Sequence, residues 1–260
     1  MRTRIWAGFT ILGALASAGA AEFGARLDYW QSDLSGDVKV EDESIPATKL
    51  THSELGMDTT EGIAVGEVFL RFGKALEHRV SLRYFEQSYD GQSTLTRSVT
   101  FSNLTFPVTT PLSSRIAFKD LDLRYAGDFW QEAGNRTGPR RADAIWGIAG
   151  IKTLDLGIEL SGPGVGSVKE SQTAPLPVLG LGGRWGWGGH FSLEAEAAGL
   201  ALDISDIRAS FFEALVGARM DFTPNAALSV GWRTWHLGAT FDSTTKVDIS
   251  ATLQGPYAGL

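Results

Sequence analysis

The chain has 260 residues, no cysteine, 31 glycines and 9 prolines, and 43% of it is hydrophobic. Its 23 basic and 30 acidic residues leave a formal charge of −7, which excludes the basic stripe that a nucleic-acid binder needs. Without cysteine there is no disulfide framework, no thiolate metal site and no lipid-anchored N-terminal Cys. Beyond the N-terminal segment no uniformly apolar run reaches about 20 residues, so helical membrane spans are excluded.

Residues 1–20 read as an export leader. Arg2 and Arg4 give a positive start, residues 5–16 are apolar, and Ala18-Gly19-Ala20 supplies a small-x-small cleavage pattern. Cleavage there leaves residues 22–260 as a single domain.

From Glu22 onward the dominant period is two, the period of a strand. Phe23, Ala25, Leu27 and Tyr29 alternate with Gly24, Arg26, Asp28 and Trp30. Ala64, Gly66, Val68, Leu70 and Phe72 alternate with Val65, Glu67, Phe69 and Arg71. Next come Val80, Leu82 and Tyr84 against Ser81 and Arg83, then Leu121, Leu123 and Tyr125 against Asp120, Asp122 and Arg124. Segments near 143–156 and 175–187 are less regular because glycine dilutes both faces. Phe191, Leu193, Ala195 and Ala197 oppose Ser192, Glu194 and Glu196. Phe212, Ala214, Val216, Ala218 and Met220 oppose Glu213, Leu215, Gly217, Arg219 and Asp221. Leu228, Val230 and Trp232 oppose Ser229, Gly231 and Arg233, and Val247, Ile249, Ala251 and Leu253 oppose Asp248, Ser250, Thr252 and Gln254. This predicts about ten strands, with eight or twelve as the alternatives.

The gaps between strands fall into two sets. One set, 33–61, 91–114, 157–173, 203–206 and 241–246, includes three long polar loops. The other, 73–79, 130–142, 188–190 and 223–227, is mostly short. Long loops at one end and tight turns at the other define an up-and-down transmembrane barrel. On that topology Phe23, Phe72, Phe129, Trp130, Trp146, Trp185, Trp187, Phe191 and Phe222 form a girdle near the short-turn end. Trp30, Tyr84, Phe85, Tyr89, Phe118, Phe211 and Trp235 form a second one toward the long-loop end. Most prolines sit in loops, turns or strand starts, while Pro177 and Pro256 fall inside strands.

The leader, the dyad repeat and the terminal segment from Leu253 to Leu260 together resemble the small outer-membrane β-barrel superfamily of Gram-negative bacteria. The chain departs from its usual ending, a terminal aromatic, by closing on Leu260 with Tyr257 three places earlier. The resemblance implies an all-β, antiparallel up-and-down barrel with long extracellular loops and mostly short periplasmic turns. It also implies export to the outer membrane. The implied partners are the barrel-assembly machinery, outer-membrane lipid and lipopolysaccharide, plus an unidentified partner for the external loops.

If the apolar face meets lipid, the opposite face points into the lumen. It carries Arg26, Asp28, Glu67, Arg71, Arg83, Asp120, Asp122, Arg124, Arg184, Glu194, Glu196, Glu213, Arg219, Asp221 and Arg233, with Asp248 on the last strand. Charges of both signs are needed there, since an uncompensated charge in a narrow lumen is costly. Candidate chemistry is thinner. His236 follows Trp232-Arg-Thr-Trp235, and Asp203, Asp206 or Asp242 are candidate acidic partners for a general base at the rim. His52, His78 and His190 read as solvated turn or loop residues. No spacing of His or carboxylate residues suits a metal, and no motif implies a cofactor. The leading expectation is a non-enzymatic outer-membrane barrel with a largely plugged, charged lumen, serving as a structural or surface-interaction scaffold or a narrow solute path. The alternatives are an outer-membrane hydrolase with a rim site at His236 and a soluble periplasmic ligand-binding barrel.

Overall fold

The structure, a computed structural model, describes residues 21–42, 48–73, 77–131, 143–187, 189–204, 207–223, 225–242 and 245–260. Residues 1–20, read as the leader, lie outside the described residues. In chain order the strands are β1 (Ala21–Asp42), β2 (Leu50–Thr51), β3 (Thr60–Phe72), β4 (His78–Thr94), β5 (Val99–Phe101), β6 (Leu104–Phe106) and β7 (Pro111–Gln131). They continue with β8 (Ala144–Gly162), β9 (Gly166–Trp187), β10 (Phe191–Ile204), β11 (Ile207–Thr223), β12 (Ala226–Asp242) and β13 (Thr245–Gly259). The long strands close into an antiparallel barrel of ten, in the order β1-β3-β4-β7-β8-β9-β10-β11-β12-β13, with β13 pairing back onto β1. Leu27 and Leu260 exchange backbone hydrogen bonds of 3.0 Å across that closure.

The strands are longer than a membrane requires. β1 and β9 each run for 22 residues and β7 for 21, where a tilted span needs about 9–11. The surplus is accounted for by a reversal of polarity along each strand. At the end where β1 begins, the near end, large apolar side chains point outward: Phe23, Leu27, Tyr29, Leu121, Leu123, Tyr125, Leu179, Leu181, Val216 and Trp232 are all exposed. Their strands turn charged residues inward at the same level. Toward the far end the faces exchange roles. Gln31, Asp33 and Ser35 on β1, Glu86 and Asp90 on β4, and Arg115 and Lys119 on β7 point outward. Leu34, Val38, Tyr89, Leu112, Ile116 and Phe118 on those strands are buried inside. The near half is therefore built for an apolar surrounding, and the far half has the pattern of a barrel standing in water.

This reversal corrects several expectations. The long loops are largely strand: β1 continues to Asp42, and β8 and β9 are joined by a tight turn at 163–165 where a loop over 157–173 was predicted. The predicted far aromatic girdle is mostly interior. Trp30, Phe85, Tyr89, Phe118, Phe211 and Trp235 are buried, because each lies on the inward face; Tyr84 alone of that set points out. Trp146, assigned to the near girdle, is buried as well. On β13 the inward face is Ile249, Ala251 and Leu253, so Asp248 points away from the lumen. Apolar residues mark the outside only within the belt, and β13 lies mostly beyond it. Pro256 interrupts the β1–β13 ladder, which skips from Tyr257 to Gln254. The adjacent Gly255 is required by contact, since a Cβ there would fall on the Gln31 carbonyl oxygen.

Val216 and Ser210 share the outward face of β11 on opposite sides of the polarity boundary. Val216→Arg is expected to cost about 2–4 kcal/mol in lipid vesicles, and Ser210→Arg less than about 1. Equal costs in urea titrations would place the boundary elsewhere.

Candidate functional site

The barrel interior is stacked in layers. At the near end Arg79 lies 3.3 Å from Glu196 and 3.9 Å from Glu67, and Arg184 lies 3.6 Å from Glu194. Arg219 pairs with Asp221 at 2.9 Å. Most of these side chains retain partial exposure, as befits loosely paired charges at a hydrated opening, while Arg184 and Asp221 are buried. Arg71 lies on the same inward face, its guanidinium 5.3 Å from the centre of the Phe69 ring.

Above them is a dry charge layer. Glu213, on β11, reaches across the lumen to two arginines. Arg83 donates to both its oxygens in a two-pronged contact of 2.5 and 2.6 Å, and Arg124 donates at 3.0 Å. Asp122 accepts from Arg83 at 2.9 Å and from Arg124 at 2.8 Å. Lys152, fully buried, donates to Asp120 at 2.7 Å and lies 3.3 Å from Asp122 and 3.5 Å from Glu213. Asp28 accepts from Arg26 at 2.7 Å and from Arg233 at 2.9 Å. Buried ions persist only when geometry and additional hydrogen bonds offset their desolvation, which this many-centred arrangement provides.

An aromatic layer lies directly on the charges. Trp235 is its centre, with Phe85, Phe118 and Phe211 edge-on at 6.4, 5.8 and 5.9 Å. Its indole N–H donates to Asp120 at 3.3 Å, so one ring links the two layers. Lys152 sits 4.2 Å from the centre of the Phe211 ring, and Arg233 lies between the Trp30 and Tyr257 rings.

A cap closes the far end. It consists of residues 48–57 and the β5–β6 hairpin, which bury Leu50, Leu55, Val99, Phe101 and Phe106 over the aliphatic residues below. Thr48 N–H donates to the Thr100 carbonyl at 3.0 Å, tying the two pieces together. Ser114 Oγ donates to the Leu55 carbonyl at 2.9 Å, and His52 Nδ1 donates to the Gly36 carbonyl at 2.8 Å. Arg97 bonds Glu54 at 2.7 Å and the Lys49 carbonyl at 2.9 Å.

Every residue predicted for the lumen except Asp248 thus lies on the inward face. The network also contains Lys152 and Arg79, which the sequence reading did not assign. Among the described residues no carboxylate is bonded to His236. His236 is on the outward face, with Nδ1 2.9 Å from Thr252 Oγ1. Asp203 is 3.5 Å from Arg208, Asp206 lies outside the described residues, and so does the side chain of Asp242. A shallow concavity of about 560 Å³ on the outer wall includes Asp37, Asp203, Arg208 and Asp248 but not His236. Among the described residues no group of carboxylates or histidines is placed to hold a metal.

No family model matches the chain, and no curated protein matches it. Among solved structures it is similar to the outer membrane protease OmpT from Escherichia coli, with a TM-score of 0.52 and 11% identity, over 92% of this chain and 97% of that one. It is also similar to the translocator domain of the autotransporter NalP from Neisseria meningitidis, with a TM-score of 0.44 and 11% identity, over 96% and 91%. The fold is that of the small outer-membrane β-barrels, here with ten strands.

Glu213→Gln is expected to destabilise the folded barrel by about 3–5 kcal/mol, because Arg83 and Arg124 keep their charges and lose a partner. Glu86→Gln removes the partner of Lys119 at 3.1 Å, where both side chains are half exposed, and should cost less than about 1 kcal/mol. Urea midpoints of both variants in the same vesicles test this, and similar losses would contradict a dry charge layer.

Burial lowers the His52 pKa below its ordinary value, partly offset by the bond to Gly36 and the field of Asp37. A depressed histidine contributes stability that is present above about pH 6.5 and is lost as pH falls through its folded pKa. Of its neighbours, Asp37 carries Lys49 at 3.1 Å, and Glu54 is held below its usual range by the Thr51 amide and by Arg97. Amide exchange at Leu55 and Met57 should therefore accelerate, beyond the intrinsic effect of pH, as pH falls below about 6.5. His52→Gln should abolish that acceleration; its persistence in the variant would assign it to another group.

Proposed function

We propose that the protein is a non-conducting, non-enzymatic barrel of the outer membrane, exported by residues 1–20. Its near end faces the periplasm, and its capped far half stands outside the cell as a rigid scaffold. The observation that carries this reading is the continuous seal of the lumen: a dry charge layer, an aromatic layer and a tied cap follow one another along the axis. Lys152, Trp235, Phe118 and Phe101, all fully or almost fully buried across the bore, support a closed lumen over a solute path. The exposed apolar belt argues for residence in lipid and against the soluble ligand-binding alternative. Among the described residues His236 bonds Thr252 on the outer face and no carboxylate, which favours the non-enzymatic reading over the hydrolase. Outer-membrane lipid is the partner of the belt, lipopolysaccharide of the wall just beyond it, and the assembly machinery acts during insertion. What the protein then offers to the exterior is surface, and loops and edges on a rigid scaffold are where binding concentrates.

Planar-bilayer recordings on the folded protein, verified by heat-modifiable gel mobility, are the test. The expected result is a silent membrane. Stable single-channel steps from the folded form would replace this reading with that of a narrow pore.

A further inference from the structure

Two seams of the barrel part before the strands end. β3 and β4 pair only as far as Val65 and Phe85. There the chain covers its own edge: Met57 bridges Gly91, and Gln92 N–H donates to the Gly56 carbonyl at 3.2 Å. β9 and β10 pair from Trp187 and Phe191 up to Leu179 and Gly199 and then separate. β9 nevertheless continues to Gly166, bonded to β8 along its whole length. Above Leu179 the other edge of β9 has no backbone partner among the described residues.

The cause of the parting is local. Pro175 and Pro177 sit in β9 just beyond Leu179, and the unbroken β8 ladder places their nitrogens on the side away from β8. Two donors that β10 would need are missing. Beyond them, Ser167, Lys169, Ser171 and Thr173 keep their N–H groups on that same side and are exposed. A paired position is thus blocked next to the belt and left open further out.

We propose that this outer edge of β9 is a docking site for an extended segment of a partner protein, added as one more strand. An open edge offers a regular row of donors and acceptors that only another strand satisfies. Charge defines the side chain it takes. Across the outer face Asp90, Arg115, Glu159 and Lys169 stand opposite one another on β4, β7, β8 and β9, alternating in sign. Arg115 bonds Asp90 at 2.6 Å. Lys169 ends the row at the open edge, so the next strand should place a carboxylate opposite it. Thr173, on the same face, calls for a small hydroxyl residue four places along the partner. This site does not depend on which membrane holds the belt.

The test uses the full folded barrel in micelles and a short soluble peptide of alternating threonine and valine with one central glutamate. Binding is read as amide exchange at Ser167, Lys169, Ser171 and Thr173. The peptide should slow these amides about tenfold or more, and its counterpart with a central lysine should not. Ser171→Pro removes one outward donor, as Pro175 and Pro177 already do, and should fold normally by gel mobility while losing the protection. Lys169→Glu should reverse the preference toward the lysine peptide. Fast exchange with every peptide would overturn the proposal. So would protection already present without peptide, which would mean that the chain covers this edge itself, or protection that survives Ser171→Pro.

Discussion

A strand that passes from lipid into water must reverse the polarity of both its faces at the crossing, and in a barrel all the strands must do so together. The outward face has to be apolar where it meets acyl chains and polar where it meets water. The inward face has no solvent of its own choosing and takes what the outward face leaves. In the belt the interior holds Asp120, Asp122, Glu213 and their basic partners; beyond it the interior holds Leu34, Ile116, Phe118 and Leu237. The charge layer and the apolar core are two answers to one requirement. Trp235 joins them, stacked among phenylalanines while its N–H reaches Asp120.

That requirement also explains why the molecule is closed. An apolar interior above a charged one needs covering from water, which the cap supplies with Leu50, Leu55, Phe101 and Phe106. The charged layer in turn needs cations and anions matched in place. Removing one ion leaves its partners buried without compensation. The outcome is a barrel whose far half is held together like an ordinary water-soluble barrel, by apolar burial, and whose near half is held by paired charge.

Much of this was legible in the sequence. The period of two located the ten strands, the four near-end turns and the inward position of residues such as Arg83, Asp122 and Glu213. The far half was not, because the rule that apolar residues face outward holds only inside the belt. Residues 31–42 look like a polar loop when their outward members are Gln31, Asp33 and Ser35, although Leu34 and Val38 keep the strand period. Trp30, Phe85 and Phe118 share a height along their strands, which suggests a girdle, but their face is the inward one. Lys152 was hidden because glycines at 147 and 150 blur the alternation around it. Ile145 and Ile151 on one face and Ile148 and Leu154 on the other would have set it inward. Arg79 falls within the predicted turn 73–79, although it is the second residue of β4. His236 points away from the lumen, on the face of Val230 and Trp232.

The reversal is tested most directly by spin labels placed singly at the outward positions of β7. The account predicts that labels at 121, 123 and 125 collide with dissolved oxygen in preference to a water-soluble nickel chelate. Labels at 113, 115 and 119 should show the opposite preference, with the switch between 119 and 121. Oxygen preference extending through 113 would contradict the account, since the far half would then lie in lipid and its buried apolar core would need another explanation.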